Sequence, residues 1–117
     1  MSAYVPQFNF TGSRSVIIGD DFLHQFTFQD SAGVPITQDG TFYAQIRKKD
    51  VLIADFVCVI TGGSSETVEL TIPYTVTLLL EPVKGANWDL EHHTAGGLRY
   101  TLIGGLVDIV RSVTEVP

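Results

Sequence analysis

The chain has 117 residues, of which 44% are hydrophobic and only 17% are charged. This length predicts one domain, because two half-size domains would each bury too little apolar surface to be stable. The formal charge is −6 and basic residues cluster only at Arg47–Lys49, which argues against a nucleic-acid partner.

Residues 1–14 form an apolar leader that precedes the first clear strand pattern. We expect residues 1–14 to be an arm that docks on a neighbouring protein and residues 15–117 to be the folded domain. The predicted anchors are Tyr4, Val5, Phe8 and Phe10, with an edge strand as the alternative for Phe8–Thr11. The leader lacks a basic region followed by an apolar run, so no signal peptide is expected. No apolar run approaches the roughly 20 residues that span a bilayer.

The first half of the domain shows the period-two alternation of half-buried strands. Ser15–Ile18 is a short strand that ends at a Gly-Asp turn. A second strand places one aromatic-rich face toward the core, and a third runs from Thr41 to Lys48. The residues expected to face inward are Phe22, His24, Phe26 and Phe28 in the second strand, and Phe42, Ala44 and Ile46 in the third.

The second half continues with strands at Val51–Thr61 and Thr67–Ile72, then a helical turn between Pro73 and Pro82 that we expect to plug one end of the fold. A hairpin spans Ala86–Thr114, with its turn at Thr94–Gly97. Its inward positions are predicted to be Trp88, Leu90 and His92 in the first arm, and Leu98, Tyr100 and Leu102 in the second. The fold class is therefore all-β, a single antiparallel β-sandwich of seven to eight strands with one short helical turn.

Few side chains offer chemistry. His92 and His93 are adjacent on a strand and point to opposite faces, so with His24 they do not predict a metal site. Asp89 and Glu91 are two apart but lie on the wet face of the hairpin, where we expect no cleft that would perturb a pKa. Cys58, the single cysteine, sits between two valines as a small hydrophobic residue. We predict no catalytic, cofactor-binding or metal-binding residues, and no enzyme activity.

Several short motifs in order carry a resemblance to a known family. They are Gly19-Asp20-Asp21-Phe22, then Asp30 to Ile36, then Ala44 to Arg47, then Trp88-Asp89-Leu90-Glu91, and a closing Gly105 to Ile109. Together they are similar to small immunoglobulin-like β-sandwich structural proteins of tailed bacteriophages, including the amino-terminal domain of baseplate upper proteins. The resemblance covers roughly residues 15–114.

The resemblance implies a virion structural protein, synthesised in the host cytoplasm. It would act as an adaptor or assembly domain of the tail, baseplate or neck, docking non-covalently on other virion proteins in multiple copies within a symmetric assembly. It implies neither nucleic-acid nor membrane binding. Two alternatives remain open: a capsid decoration or cement protein, and a host-surface carbohydrate-binding module at the tail tip. The second would use exposed aromatic residues, for which Tyr43, Tyr74 and Tyr100 are the candidates.

Overall fold

The structure, a computed structural model, describes residues 6–112. These residues contain seven strands, one short helix and one 3-10 turn, joined by loops. The 3-10 turn spans Gly12–Arg14. The other elements are β1 Val16–Ile18, β2 Phe22–Thr27, β3 Thr41–Lys48, β4 Val51–Thr61, β5 Thr67–Ile72, α1 Tyr74–Thr77, β6 Val83–His93 and β7 Arg99–Arg111.

The alternating patterns become strands with one buried face, as predicted. In β3, Phe42, Ala44 and Ile46 are buried, and their neighbours are exposed or half-buried. In β5 the alternating apolar residues, from Val68 to Ile72, are completely buried. Burying each such side chain contributes about 1.5–3 kcal/mol, which is why the pattern decides which face of the strand turns inward.

All seven strands join one sheet in the order β1-β7-β6-β3-β4-β5-β2. The all-β prediction is confirmed, but the prediction of a purely antiparallel sheet is wrong at β1, which pairs with β7 in parallel. The cause is the path of the N-terminal chain. It runs along β7 in the same direction, from the bridge of Gln7 with Gly104 to the pair of Ile18 with Arg111.

The sheet curls on itself through the long strand β4. Residues from Val51 to Phe56 pair with β3, whereas residues from Val57 to Thr61 pair with β5. This change of partner folds β5 and β2 over the other strands. As a result the ring of Phe26 in β2 stacks on Trp88 in β6, with 5.9 Å between ring centroids. The core lies between these two halves of the sheet.

The β6–β7 hairpin forms with the predicted turn, but its second arm departs from simple alternation. Leu90 pairs with Ile103 and Glu91 with Thr101, so Leu102 is an extra residue and forms a β-bulge. Leu98 and Tyr100 were predicted to face inward and are instead 58% and 49% exposed. Leu98 precedes β7, and Tyr100 lies opposite His92 at the turn end of the hairpin, so Tyr100 keeps the predicted face but both side chains lie beyond the core.

The N-terminal segment 6–10 forms a ladder with β7. Phe8 N–H donates to Gly104 O, and Phe10 N–H donates to Leu106 O at 2.8 Å. Trp88 Nε1–H also donates to Phe8 O at 2.7 Å. Residues 6–14 are therefore built into the domain, which agrees with the edge-strand alternative for Phe8–Thr11 and not with a docking arm. A period of two between Phe8 and Phe10 was the available signal for a strand.

Candidate interaction surface

The short helix α1 is held against the β1–β2 turn by polar contacts. Gly19 N–H donates to Thr77 Oγ1 at 3.1 Å, and the Thr77 hydroxyl donates to Asp20 O at 2.8 Å. Asp21 Oδ1 accepts from Tyr74 N–H at 2.6 Å and so satisfies one of the free amides at the start of the helix. Thr77, which is completely buried, is the only buried residue of α1. Hydrogen bonds thus hold this helix against the β1–β2 turn, and Leu80 just after it packs on the core.

The apolar side chains of α1 and the turn after it point largely to solvent. Leu79 is 80% exposed and Leu78 is 60% exposed. The prediction that this segment plugs one end of the fold is therefore wrong for most of its apolar residues. Its run of three leucines lacks alternation, so no periodicity assigned them to a face. We call this cluster the α1 surface; its members are Tyr74, Val76, Leu78 and Leu79.

A shallow groove of about 360 Å³ extends from the start of α1 across the outer face of the sheet. Leu23 on β2, Val57 on β4 and Pro73 are among the residues that line it. Leu23 and Val57 both lie opposite Thr71 of β5, so they form one row across three strands. Both are more than half exposed. Contiguous exposed apolar side chains of this kind are typical of protein interaction sites.

Phe8 and Phe10, two of the four docking residues predicted from sequence, lie elsewhere. Phe10 is completely buried, with its ring centroid 4.7 Å from that of Trp88. Phe8 is half-buried and packs on Phe10 and Phe26. Phe10 is thus a core residue and not a surface anchor, because the leader pairs with β7 and turns both rings inward. Tyr4 and Val5 lie outside the described residues.

The three histidines occupy separate environments. His24 packs against Phe8 and Phe10, where burial first and then the Arg14 charge lower the pKa of its ring. His92 stacks on Phe42 at 4.2 Å and donates from Nε2 to Asp39 O. His93 donates from Nε2 to Glu91 Oε1. Residues 6–112 contain no group of three or more His, Cys, Asp or Glu side chains placed to hold a metal ion.

Asp89 and Glu91 lie on the outer face of β6, as predicted, but in a shallow groove of about 330 Å³ that was not expected. Partial burial raises the pKa of the Asp89 carboxyl, and the Glu91 charge raises this pKa further, while Arg47 acts in the opposite direction. The expectation of an unperturbed carboxylate is therefore wrong. Glu91 accepts a hydrogen bond from His93, so it has a structural role on the strand surface.

The remaining candidates have structural contacts. Burial raises the pKa of the half-buried Cys58 thiol to about 11, so the thiolate is scarce at neutral pH. Arg47 donates to Gln45 Oε1, and Lys48 Nζ donates to two backbone carbonyls. Lys49 adopts a positive φ in the hairpin turn between β3 and β4. The basic run therefore lies at the tip of the β3–β4 hairpin.

The three tyrosines considered for carbohydrate binding are each about half exposed but do not form one patch. Tyr43 lies opposite Glu91, and Tyr100 lies opposite His92, which places the two tyrosines on opposite faces of the sheet. Tyr74 belongs to α1. A stacking platform for a sugar ring needs aromatic side chains on one surface, and these positions do not provide it.

No protein-family model matches the chain. No curated protein matches its sequence either. Within the described part of the chain, no helix has the length and apolar character needed to cross a bilayer.

Proposed function

We propose that this chain is a structural protein of a tailed-bacteriophage virion, which docks non-covalently on another virion protein of the tail, baseplate or neck. The observation that carries the proposal is the α1 surface, where four apolar side chains are exposed on α1 and in the turn after it, and hydrogen bonds hold α1 against the β1–β2 turn. The ordered motifs from Gly19 to Ile109 supply the phage context.

We also infer that the curled sheet is an immunoglobulin-like sandwich. In this description β2, β5 and the second part of β4 form one layer, and the strands from β3 to β1 form the other. The aromatic contacts between Phe26 and Trp88, and between Phe22 and Phe56, join the layers. A stiff all-β domain of this kind suits a component that must hold its partners at a fixed geometry.

The α1 surface has enough apolar character for a weak but additive contact. Fully burying one leucine side chain contributes about 1.5–3 kcal/mol before the costs of association are subtracted. Leu78 and Leu79 together therefore support a modest affinity for one copy. Copies arranged around a symmetric particle reinforce one another, because each bound copy holds its neighbours at a high local concentration. Modest single contacts are then sufficient for stable incorporation.

The test is incorporation of surface variants into particles. Leu79→Glu places a charge on the α1 surface at a side chain that is 80% exposed, so folding should be unaffected. Leu98→Glu is the matched control: Leu98 is 58% exposed and lies in the hairpin turn. The two sites lie at opposite ends of β7. Leu98 precedes its first residue, whereas its last residue pairs with the end of β1, and the turn that follows β1 contacts α1.

We expect the Leu79→Glu protein to fold normally and to be at least tenfold depleted from purified particles, whereas Leu98→Glu is incorporated like the wild type. Circular dichroism and thermal melting establish that both variants fold. Equal incorporation of the two folded variants would contradict the assignment of the α1 surface as the docking site.

A further inference from the structure

Strand β2 leaves one edge of the sheet without a partner strand among residues 6–112. Phe28 N–H donates to Glu66 O, which fixes the alternation of hydrogen bonds between β2 and β5. By this alternation the N–H and C=O groups of Leu23, Gln25 and Thr27 point away from β5, toward the open side. Just beyond β2, Ile36 N–H donates to Phe28 O and closes the edge there.

This edge carries none of the features that normally protect a sheet edge from pairing. The sequence from Phe22 to Thr27 contains no Asp, Glu, Lys, Arg or Pro, and its pairing with β5 has no register shift. The other edge consists of residues 6–10 and β1, which both pair with β7; the 3-10 turn at Gly12–Arg14 interrupts it, and β1 itself has only three residues. The fold therefore has one protected edge and one unprotected edge.

Space is present alongside the unprotected edge. A groove of about 240 Å³ separates the start of β2 from the N-terminal segment; Phe22 and His24 line one side of it, and Ser13 and Arg14 line the other. Rings of the two sides pack on each other in the core, but within residues 6–112 no backbone pairing joins β2 to the N-terminal segment. An additional strand at the usual spacing of about 4.8 Å would extend the sheet at this position.

We propose that two copies of this chain pair through their β2 strands, antiparallel and around a two-fold axis at Gln25. In this register Gln25 lies opposite Gln25 of the second copy, and Leu23 lies opposite its Thr27. The outward amides and carbonyls of both edges then form about six backbone hydrogen bonds.

The second copy is the occupant that the charges and the topology favour. Each chain carries a formal charge of −6, yet β2 has no charged side chain, so the pairing places no like charges opposite each other. Pairing through the same edge on both copies is a closed, isologous contact. It uses the unprotected edge of both copies and stops at two copies, because a two-fold contact is closed by its symmetry. This inference concerns the chain alone and does not rest on the virion role.

The first experiment measures the molar mass of the purified full chain by light scattering after gel filtration. We expect twice the 12.8 kDa chain mass for the wild type. Gln25→Lys should give the monomer mass, because the two-fold axis places the two lysine side chains next to each other. Within each chain the lysine can still contact Glu69, which now accepts a hydrogen bond from Gln25, so the fold should be retained.

The matched control is Val59→Lys. Val59 also lies opposite Glu69, but on β4, two strands from the edge. The substitution therefore adds the same charge beside the same carboxylate without changing the β2 edge. This variant should remain a dimer. A wild-type monomer at all concentrations, or equal dissociation by both lysine variants, would overturn the proposal.

A second experiment tests the register in a Cys58→Ala background. Gln25→Cys should form an intermolecular disulfide on oxidation, because paired residues lie about 5.5 Å apart between Cα atoms, within the range of disulfide bonds. Leu23→Cys alone should not form a disulfide, because the Cα atoms of residue 23 in the two copies would be about 14 Å apart. A mixture of Leu23→Cys and Thr27→Cys should cross-link.

Other patterns count against the two-fold contact. Cross-linking of Leu23→Cys with itself would show a different register. A chain that is monomeric but becomes dimeric when residues 1–5 are deleted would show that this segment, and not a second copy, occupies the edge.

Discussion

Phe10 tests whether the N-terminal segment belongs to the core. Its side chain is completely buried against the rings of Phe22, Phe56 and Trp88. Phe10→Ala removes these contacts and leaves a cavity, which costs about 3–5 kcal/mol for a buried phenylalanine. With a midpoint shift of about 4 °C per kcal/mol for a domain of this size, the melting temperature should fall by roughly 12–20 °C.

The assay is thermal and urea unfolding followed by circular dichroism, with Tyr74→Ala as the control. Tyr74 is 53% exposed on α1, so its truncation should lower the free energy of unfolding by less than about 1 kcal/mol. Deletion of residues 1–13 should be at least as damaging as Phe10→Ala, because it also removes the acceptor of the Trp88 hydrogen bond. A stable domain after that deletion would refute this reasoning and support a detachable arm.

Three further predictions follow from single residues. Gly105→Ala should destabilise the domain strongly, because a Cβ there would lie 2.2 Å from Phe8 O, whereas Gly63→Ala, with nothing within 4 Å, should be nearly neutral in the same unfolding assay. Because the pKa of His24 is lowered from 6.5, the unfolded state binds the proton more readily, so stability should fall as pH decreases below about 6.5. His24→Gln should remove this part of the pH dependence in urea titrations. Cys58 should resist a thiol reagent at pH 8 in the folded protein and react once urea unfolds it, because burial raises its pKa to about 11.

Each of these has an outcome that would contradict it. Equal effects of the two glycine substitutions would mean that the N-terminal segment around Phe8 does not lie against β7. An unchanged pH profile after the His24 substitution would mean that other groups control acid stability. Rapid labelling of the folded protein would show an accessible thiol.

Much of the fold could be predicted from the sequence, because strict alternation determines which face of a strand is buried. This held for β3 and β5, where apolar residues at every second position are buried. It failed in the second arm of the hairpin, because Leu98 and Tyr100 lie at the turn end, beyond the core, and alternation does not show where along a strand the core ends. The parallel pairing of β1 also depends on contacts between the two ends of the chain.

The pairing of the N-terminal segment with β7 has a signal in the sequence of β7. Gly104 and Gly105 interrupt an otherwise apolar strand, and glycines in a strand often mark the close approach of another backbone. In the structure that backbone is the segment around Phe8. The α1 surface could not be predicted, since a run of leucines without periodicity fits a buried turn and an exposed one equally well.

The most direct measurement of the proposed virion role is the copy number of this chain in purified phage particles. Quantitative mass spectrometry against the major capsid protein provides this number. The account predicts a few to a few dozen copies per particle, as the symmetry of a tail, baseplate or neck requires. Hundreds of copies would indicate a capsid decoration protein instead. Absence from the particles would contradict the structural role altogether.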